Sequence, residues 1–198
     1  MTATELEADG RVDARPLRLM YVGIASATVG LVILWAATTF SSTVDEGDFQ
    51  YAGDYWLTSA ALPLGVGLIL HNLAVHRLQR GRDGRLGSVG MWIYVLCCTE
   101  LVVQCMASVA VGAELRWGLT YVLSTLGTFV GLTLVAAGSW RVGLLPKVLL
   151  GVWPPLGLLG SWFGTGPIPL LLGVFLVTTG VLVRRGDLNR VRSPRLSG

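Results

Sequence analysis

Six apolar runs, separated by short charged clusters, divide the chain; they cover residues 19–40, 56–75, 89–111, 117–140, 148–163 and 167–183. About 20 apolar residues at ~1.5 Å rise cross the ~30 Å hydrocarbon core of a bilayer, so runs of this kind read as membrane-spanning helices. The fifth run is short and carries Pro154-Pro155. It reads as a kinked helix and not a hairpin, because neighbouring helices can satisfy the carbonyls that proline frees. The pattern predicts an all-α fold: a bundle of six transmembrane helices at residues 19–183, between a polar tail at 1–18 and a basic tail at 184–198.

The clusters between the runs differ in sign. Residues 41–55 hold Asp45, Glu46, Asp48 and Asp54 without a basic residue, whereas residues 76–85 hold Arg77, Arg80, Arg82 and Arg85. Arg141 and Lys147 flank the turn before the fifth run, and Arg184, Arg185, Arg190, Arg192 and Arg195 follow the sixth. Basic residues near span ends stay in the cytoplasm. Six spans place Arg11 to Arg18 and all the later basic clusters there, leaving the acidic loop and Arg116 outside. Both termini are therefore expected to be cytoplasmic, in a multi-pass protein of the cell membrane. Phe40, Tyr55, Trp56, Trp117, Tyr121, Trp162 and Phe163 are expected to line the outer interface. Residues 112–116 form so short a connection that the third and fourth helices are expected to be antiparallel neighbours.

Composition agrees with this reading. Only 14% of the 198 residues are charged and the mean hydropathy is +0.64, against about a quarter charged in soluble domains. The net charge of +3 reflects topology, since all the Arg and Lys residues except Arg116 fall in the clusters assigned to one side. The expected partner is the lipid bilayer and not nucleic acid. The three cysteines, Cys97, Cys98 and Cys105, share one apolar run, which excludes a secreted disulfide framework. No nucleotide loop, metalloprotease helix or hydrolase elbow occurs. No cofactor or metal is expected, and an enzymatic role is not the first expectation.

The third run carries the concentrated polar chemistry. Glu100 lies at its midpoint, where an ionised carboxylate costs about 3 kcal/mol on insertion scales and calls for protein or water partners. Cys97, Glu100, Gln104 and Ser108 recur at spacings of three and four and so share one helix face. Glu100 can act as a proton-coupling or ligand-binding acid, or as a carboxyl bonded to Gln104 that fixes packing. From the second run, His71, with Asn72 beside it, is the candidate partner for Glu100, because it falls at the depth of Cys97. His titrates near neutrality, which would suit a proton relay. His76, near the basic loop, is expected to bond a backbone carbonyl.

Glycines supply flat helix faces that permit close packing: Gly23 with Ala27, Gly127-x-x-x-Gly131, and Gly166, Gly173 and Gly180 at seven-residue spacing. These faces can close the chain's own bundle or dock a second copy or another membrane subunit. The leading expectation is a transport-related protein whose small-molecule or proton site uses Glu100, Gln104, His71 and Cys97, its ligand being unknown. A structural or accessory subunit docking through Gly127, Gly131, Gly173 and Gly180 is the alternative. A membrane-embedded enzyme acting on a lipid or isoprenoid comes third.

Overall fold

The computed structural model describes residues 14–43, 47–79, 81–115, 118–162 and 166–192, and apart from one isolated bridge its regular structure is helical. The segments are α1 (Ala14–Phe40), α2 (Ala52–Ser59), α3 (Ala61–Leu78), α4 (Gly84–Val111), α5 (Leu119–Trp140), α6 (Lys147–Ser161) and α7 (Ile168–Arg192). Residues 1–13, Asp45, Glu46, Arg80, Arg116, Trp117, Phe163 and Arg195, on which part of the charge and aromatic argument rests, lie outside the described residues.

Five helices are long and apolar enough to cross a membrane, at Arg15–Phe40, Ala52–Leu78, Gly84–Val111, Leu119–Trp140 and Ile168–Arg185. The second of these rods joins α2 to α3 across a break at Ala60. Pro63 has no N–H to offer the Ser59 carbonyl, so the regular ladder cannot run through. The rod is held together by Ala60 N–H donating to the Trp56 carbonyl and Leu64 N–H donating to the Ala60 carbonyl, both at 3.1 Å. α6 is a single 15-residue helix containing Pro154 and Pro155, and at ~1.5 Å per residue it is shorter than a hydrocarbon core. The chain expected to be a tail after Val183 instead continues α7 to Arg192. Arginine and leucine are good helix formers, and cations complement the carbonyl end of a helix.

The rods form a closed ring. Each packs on its sequence neighbour, α1 on α3, α3 on α4, α4 on α5, α5 on α6 and α6 on α7, and α7 returns to α1. Glycines show that successive rods run antiparallel. A Cβ at Gly23 would meet the His71 backbone while one at Gly30 would meet Leu64. Likewise Gly90 abuts Gly131 and Gly138 abuts Gly87; Gly173 faces Leu31 while Gly180 faces Ile24. The α4–α5 pair is thus the antiparallel neighbour pair that its short connection predicts. Inside the ring, Trp153, Tyr94, Met20, Leu31, Leu64 and Leu172 are almost fully buried.

This threading gathers like charges. Arg15 and Arg18 begin α1, Arg77 ends α3, Arg85 begins α4, Arg141 follows α5, Lys147 begins α6 and Arg184 lies late in α7. All of these fall at one end of the ring. At the other end the loop after α1 pairs with the α4–α5 connection: Phe49 N–H donates to the Gly112 carbonyl at 2.8 Å, and Glu114 N–H donates to the Gly47 carbonyl at 2.9 Å. Gly112 ends α4 in the left-handed conformation, φ 73°, which glycine adopts without a Cβ penalty. The buried Asp54 carboxylate accepts from the Gln50 and Tyr51 backbone N–H groups, each at 2.9 Å. Phe40, Tyr51, Tyr55 and Trp56 stand exposed at this acidic end.

Candidate functional site

A buried polar group inside a membrane-length bundle is costly unless bonded, so the interior polar side chains mark where the fold departs from simple packing. Three groups stand out; Asp54, Ser124, Thr125, Thr128 and Ser161 are also buried but lie outside them.

The central group surrounds His71, which has no solvent exposure. α3 presents the ring inward because its opposite neighbour is Gly23 of α1, where a Cβ would come within 2.6 Å of the His71 backbone nitrogen. With the two backbones that close, α3 sits deep in the ring. His71 Nε2 lies 2.9 Å from the Thr179 hydroxyl of α7, and Nδ1 lies 3.3 Å from Asn72 Oδ1. The ring meets Trp153 of α6 edge to face, with centroids 5.8 Å apart. On α4, Tyr94 and Cys98 are likewise almost wholly buried. The Cys98 thiol faces the Gly65 carbonyl at 3.8 Å. Asn72 Nδ2 is buried without a hydrogen-bond partner. Three rods, α3, α6 and α7, therefore meet at one imidazole, which lies seven residues before the end of α3, about 10 Å in at ~1.5 Å per residue.

The second group is the stripe on α4. Gln104 Nε2 donates to Glu100 Oε1 at 2.9 Å, the Ser108 hydroxyl donates to the Gln104 carbonyl at 3.1 Å, and Leu115 N–H donates to the Ser108 hydroxyl at 3.1 Å. Gln104 and Ser108 are buried, whereas Glu100 and Cys97 are half-buried. At ~100° per residue, Glu100 stands between the exposed stripe of Trp92, Leu96 and Val103 and the seam against α5. The Cys97 sulfur rests over Gly127. His71 is not Glu100's partner: both ring nitrogens face Asn72 and Thr179, while Glu100 is bonded along its own helix. The expected His–Glu relay fails because α3 turns His71 toward α1, α6 and α7, away from the α4–α5 seam.

The third group lies near the basic end. His76 Nδ1 contacts Asp83 Oδ2 at 2.5 Å, and Gln79 Nε2 donates to the Ser139 hydroxyl at 2.6 Å. The Ser139 hydroxyl in turn donates to the Val135 carbonyl at 2.7 Å. His76 thus bonds a carboxylate, not the expected backbone carbonyl. Asp83 is buried because Gly87 leaves room for its carboxylate and Gly138 lets α5 approach its backbone. Asp83 Oδ1 and Gln79 Oε1 remain without partners.

The glycine faces are occupied within the chain. A Cβ at Gly131 would come within 2.7 Å of the Tyr94 backbone nitrogen, and one at Gly180 within 2.7 Å of Ile24 Cδ1. Gly127 lies under Cys97, and Gly173 faces Leu31 at an ordinary 3.6 Å. Gly166 precedes α7 in a turn, at φ 58°, so the seven-residue series does not form one face. Thr179, Tyr94, Trp153, Gln79, Asp83 and Ser139 were not singled out from the sequence. None stands out in its own run; only the packing of distant helices brings them together.

No protein-family model matches the chain, and no curated protein or solved structure matches it either.

Proposed function

We propose that this is a six-span membrane protein with both termini in the cytoplasm, and that it is transport-related, with its solute or proton site at the His71 cluster. The gathering of basic residues at one end of the ring supports the orientation through the positive-inside rule. α6 completes the count of six by packing in the ring, its short length being accommodated by local bilayer thinning or interfacial flanks. The observation that carries the transport reading is the fully buried imidazole at which side chains of α3, α6 and α7 meet. Ionisable groups in the membrane interior are expensive and by default mark a site. The Glu100–Gln104 pair, bonded within α4, serves as a seam element beside that site. The accessory reading loses ground, because Gly131 and Gly180 are already covered by helices of the same chain.

Native mass spectrometry of the full chain, extracted gently from its membrane, tests this. The expected result is a small molecule on the monomer that is lost from His71→Leu while the variant remains folded. A second protein at fixed stoichiometry, retained in His71→Leu, would overturn the reading in favour of an accessory subunit.

A further inference from the structure

The basic end of the ring carries charge that its neighbours do not balance. The arginines described there, and Lys147, are all exposed, and none is in an ion pair among the described residues. Asp83, the acid of the α3–α4 turn, is buried against His76. Unpaired cations at a membrane surface attract the anionic headgroups of lipids. Charge alone makes that attraction diffuse. A site needs cations held together and a seat for the rest of the ligand.

The α5–α6 corner supplies both. Lys147 Nζ lies over the Trp140 ring, 5.8 Å from its centroid, and Arg141 directly follows Trp140 in the chain. The cation–π contact therefore holds the ammonium on the same corner as the guanidinium. The Trp140 indole is itself exposed, and amphipathic indoles favour headgroup level. Along α6, Lys147, Gly151 and Pro155 recur at four-residue spacing, so they share one face, and all three are exposed. Exposed Val148, Val152 and Leu159 border that face. Gly151 faces open space where a Cβ would stand, so bare backbone lies one turn beyond Lys147. The result is a shallow apolar furrow that leads away from the two cations, on the opposite side of α6 from Trp153, which turns inward to His71.

We propose that the α5–α6 corner binds one anionic phospholipid of the leaflet at the basic end. Its headgroup phosphate sits between Arg141 and Lys147, and an acyl chain lies along the Gly151 furrow. The guanidinium offers two parallel N–H donors to phosphate oxygens, while the ammonium acts as a point charge. The site lies on the outer face of the ring, so it goes beyond the transport reading and does not depend on it.

Native mass spectrometry of the full chain in detergent, titrated with equal amounts of dioleoyl phosphatidylglycerol and dioleoyl phosphatidylcholine, tests this. One phosphatidylglycerol per chain is expected to be retained in preference to phosphatidylcholine. Arg141→Gln with Lys147→Gln should weaken that retention by about tenfold or more. Arg77→Gln with Arg85→Gln removes the same net charge from the same end and should leave retention unchanged. Gly151→Leu fills the furrow with both cations in place and should also weaken retention, which keeps the proposal falsifiable if the double variant fails to fold. Equal losses from the two charge pairs would show a diffuse attraction and overturn the site. So would displacement of the lipid by inorganic phosphate, which would make the corner a free-phosphate site. Retention that appears only after removal of residues 1–13 would assign the corner to the chain's own Glu5, Glu7, Asp9 and Asp13, and overturn it likewise. The lipid should persist in His71→Leu, which separates it from the solute sought at the His71 cluster.

Discussion

At the scale of single residues, the bundle rests on contacts that only glycine allows. Gly67 packs directly on the Ala27 and Gly23 backbones, whereas Gly151 faces open space. Gly67→Leu would force α1 and α3 apart, and overpacking of this kind costs about 1–3 kcal/mol or more. Loss of the monodisperse peak in size-exclusion chromatography, beside an unchanged Gly151→Ala, is the expected outcome. Glu100 behaves differently. Glu100→Gln keeps an acceptor for Gln104 Nε2, so thermal unfolding in detergent should shift by no more than about 0.5 kcal/mol. Glu100→Leu strands that donor while Gln104 Oε1 is already without a partner, and should cost about 1–3 kcal/mol. Equal melting of Glu100→Leu and Glu100→Gln would show that the Glu100–Gln104 bond contributes nothing to packing.

At the scale of elements, polar bonds fix the connections where apolar packing runs out. The α3–α4 turn is tied to the end of α5 by Gln79 and Ser139. Ser139→Ala leaves Gln79 with neither end of its amide bonded, a buried loss of about 1–3 kcal/mol. Lower thermal stability and faster proteolysis between residues 79 and 84 are the expected readouts. On the opposite end, Asp54 gathers the N–H groups of Gln50 and Tyr51 at the start of α2. Asp54→Ala should cost about 1–2 kcal/mol and expose the 41–51 loop to protease while α5 and α6 remain protected. The break at Ala60 and the continuous helix through Pro154-Pro155 make a further contrast. Pro63 interrupts its rod near the acidic end, while Pro154 and Pro155 lie within α6, where Trp153 is locked against His71 and Phe175.

At the scale of the whole molecule, the ring and its charge separation make topology directly measurable. Ser42 and Arg141 are exposed and lie at opposite ends of the bundle. A membrane-impermeant maleimide should label Ser42→Cys in intact cells and Arg141→Cys only after permeabilisation, with the three native cysteines, all in the middle and C-terminal half of α4, as the background to subtract. Labelling of both from outside would break the six-span arrangement. An odd number of crossings, with α6 failing to traverse, would instead expose residues beyond Arg184 to the reagent.

The all-helical bundle, five helices long and apolar enough to cross a membrane, and the gathering of basic residues at one end were legible in the sequence, because long apolar runs and basic flanks are local properties of the chain. So was the bond from Gln104 to Glu100, since residues four apart on a helix must be neighbours. The partner of His71 was not legible. Its depth matched that of Cys97 on α4, but depth leaves open the direction in which α3 is turned about its own axis. Gly23, Gly30 and Gly67 decide that rotation by bringing α1 against α3, and the closure of α7 on α1 then delivers Thr179 to the imidazole. The burial of Asp83 likewise depends on Gly87 and Gly138, one on its own helix and one on α5. Periodicity along one helix specifies which residues share a face. Only the packing of all six rods specifies what that face meets.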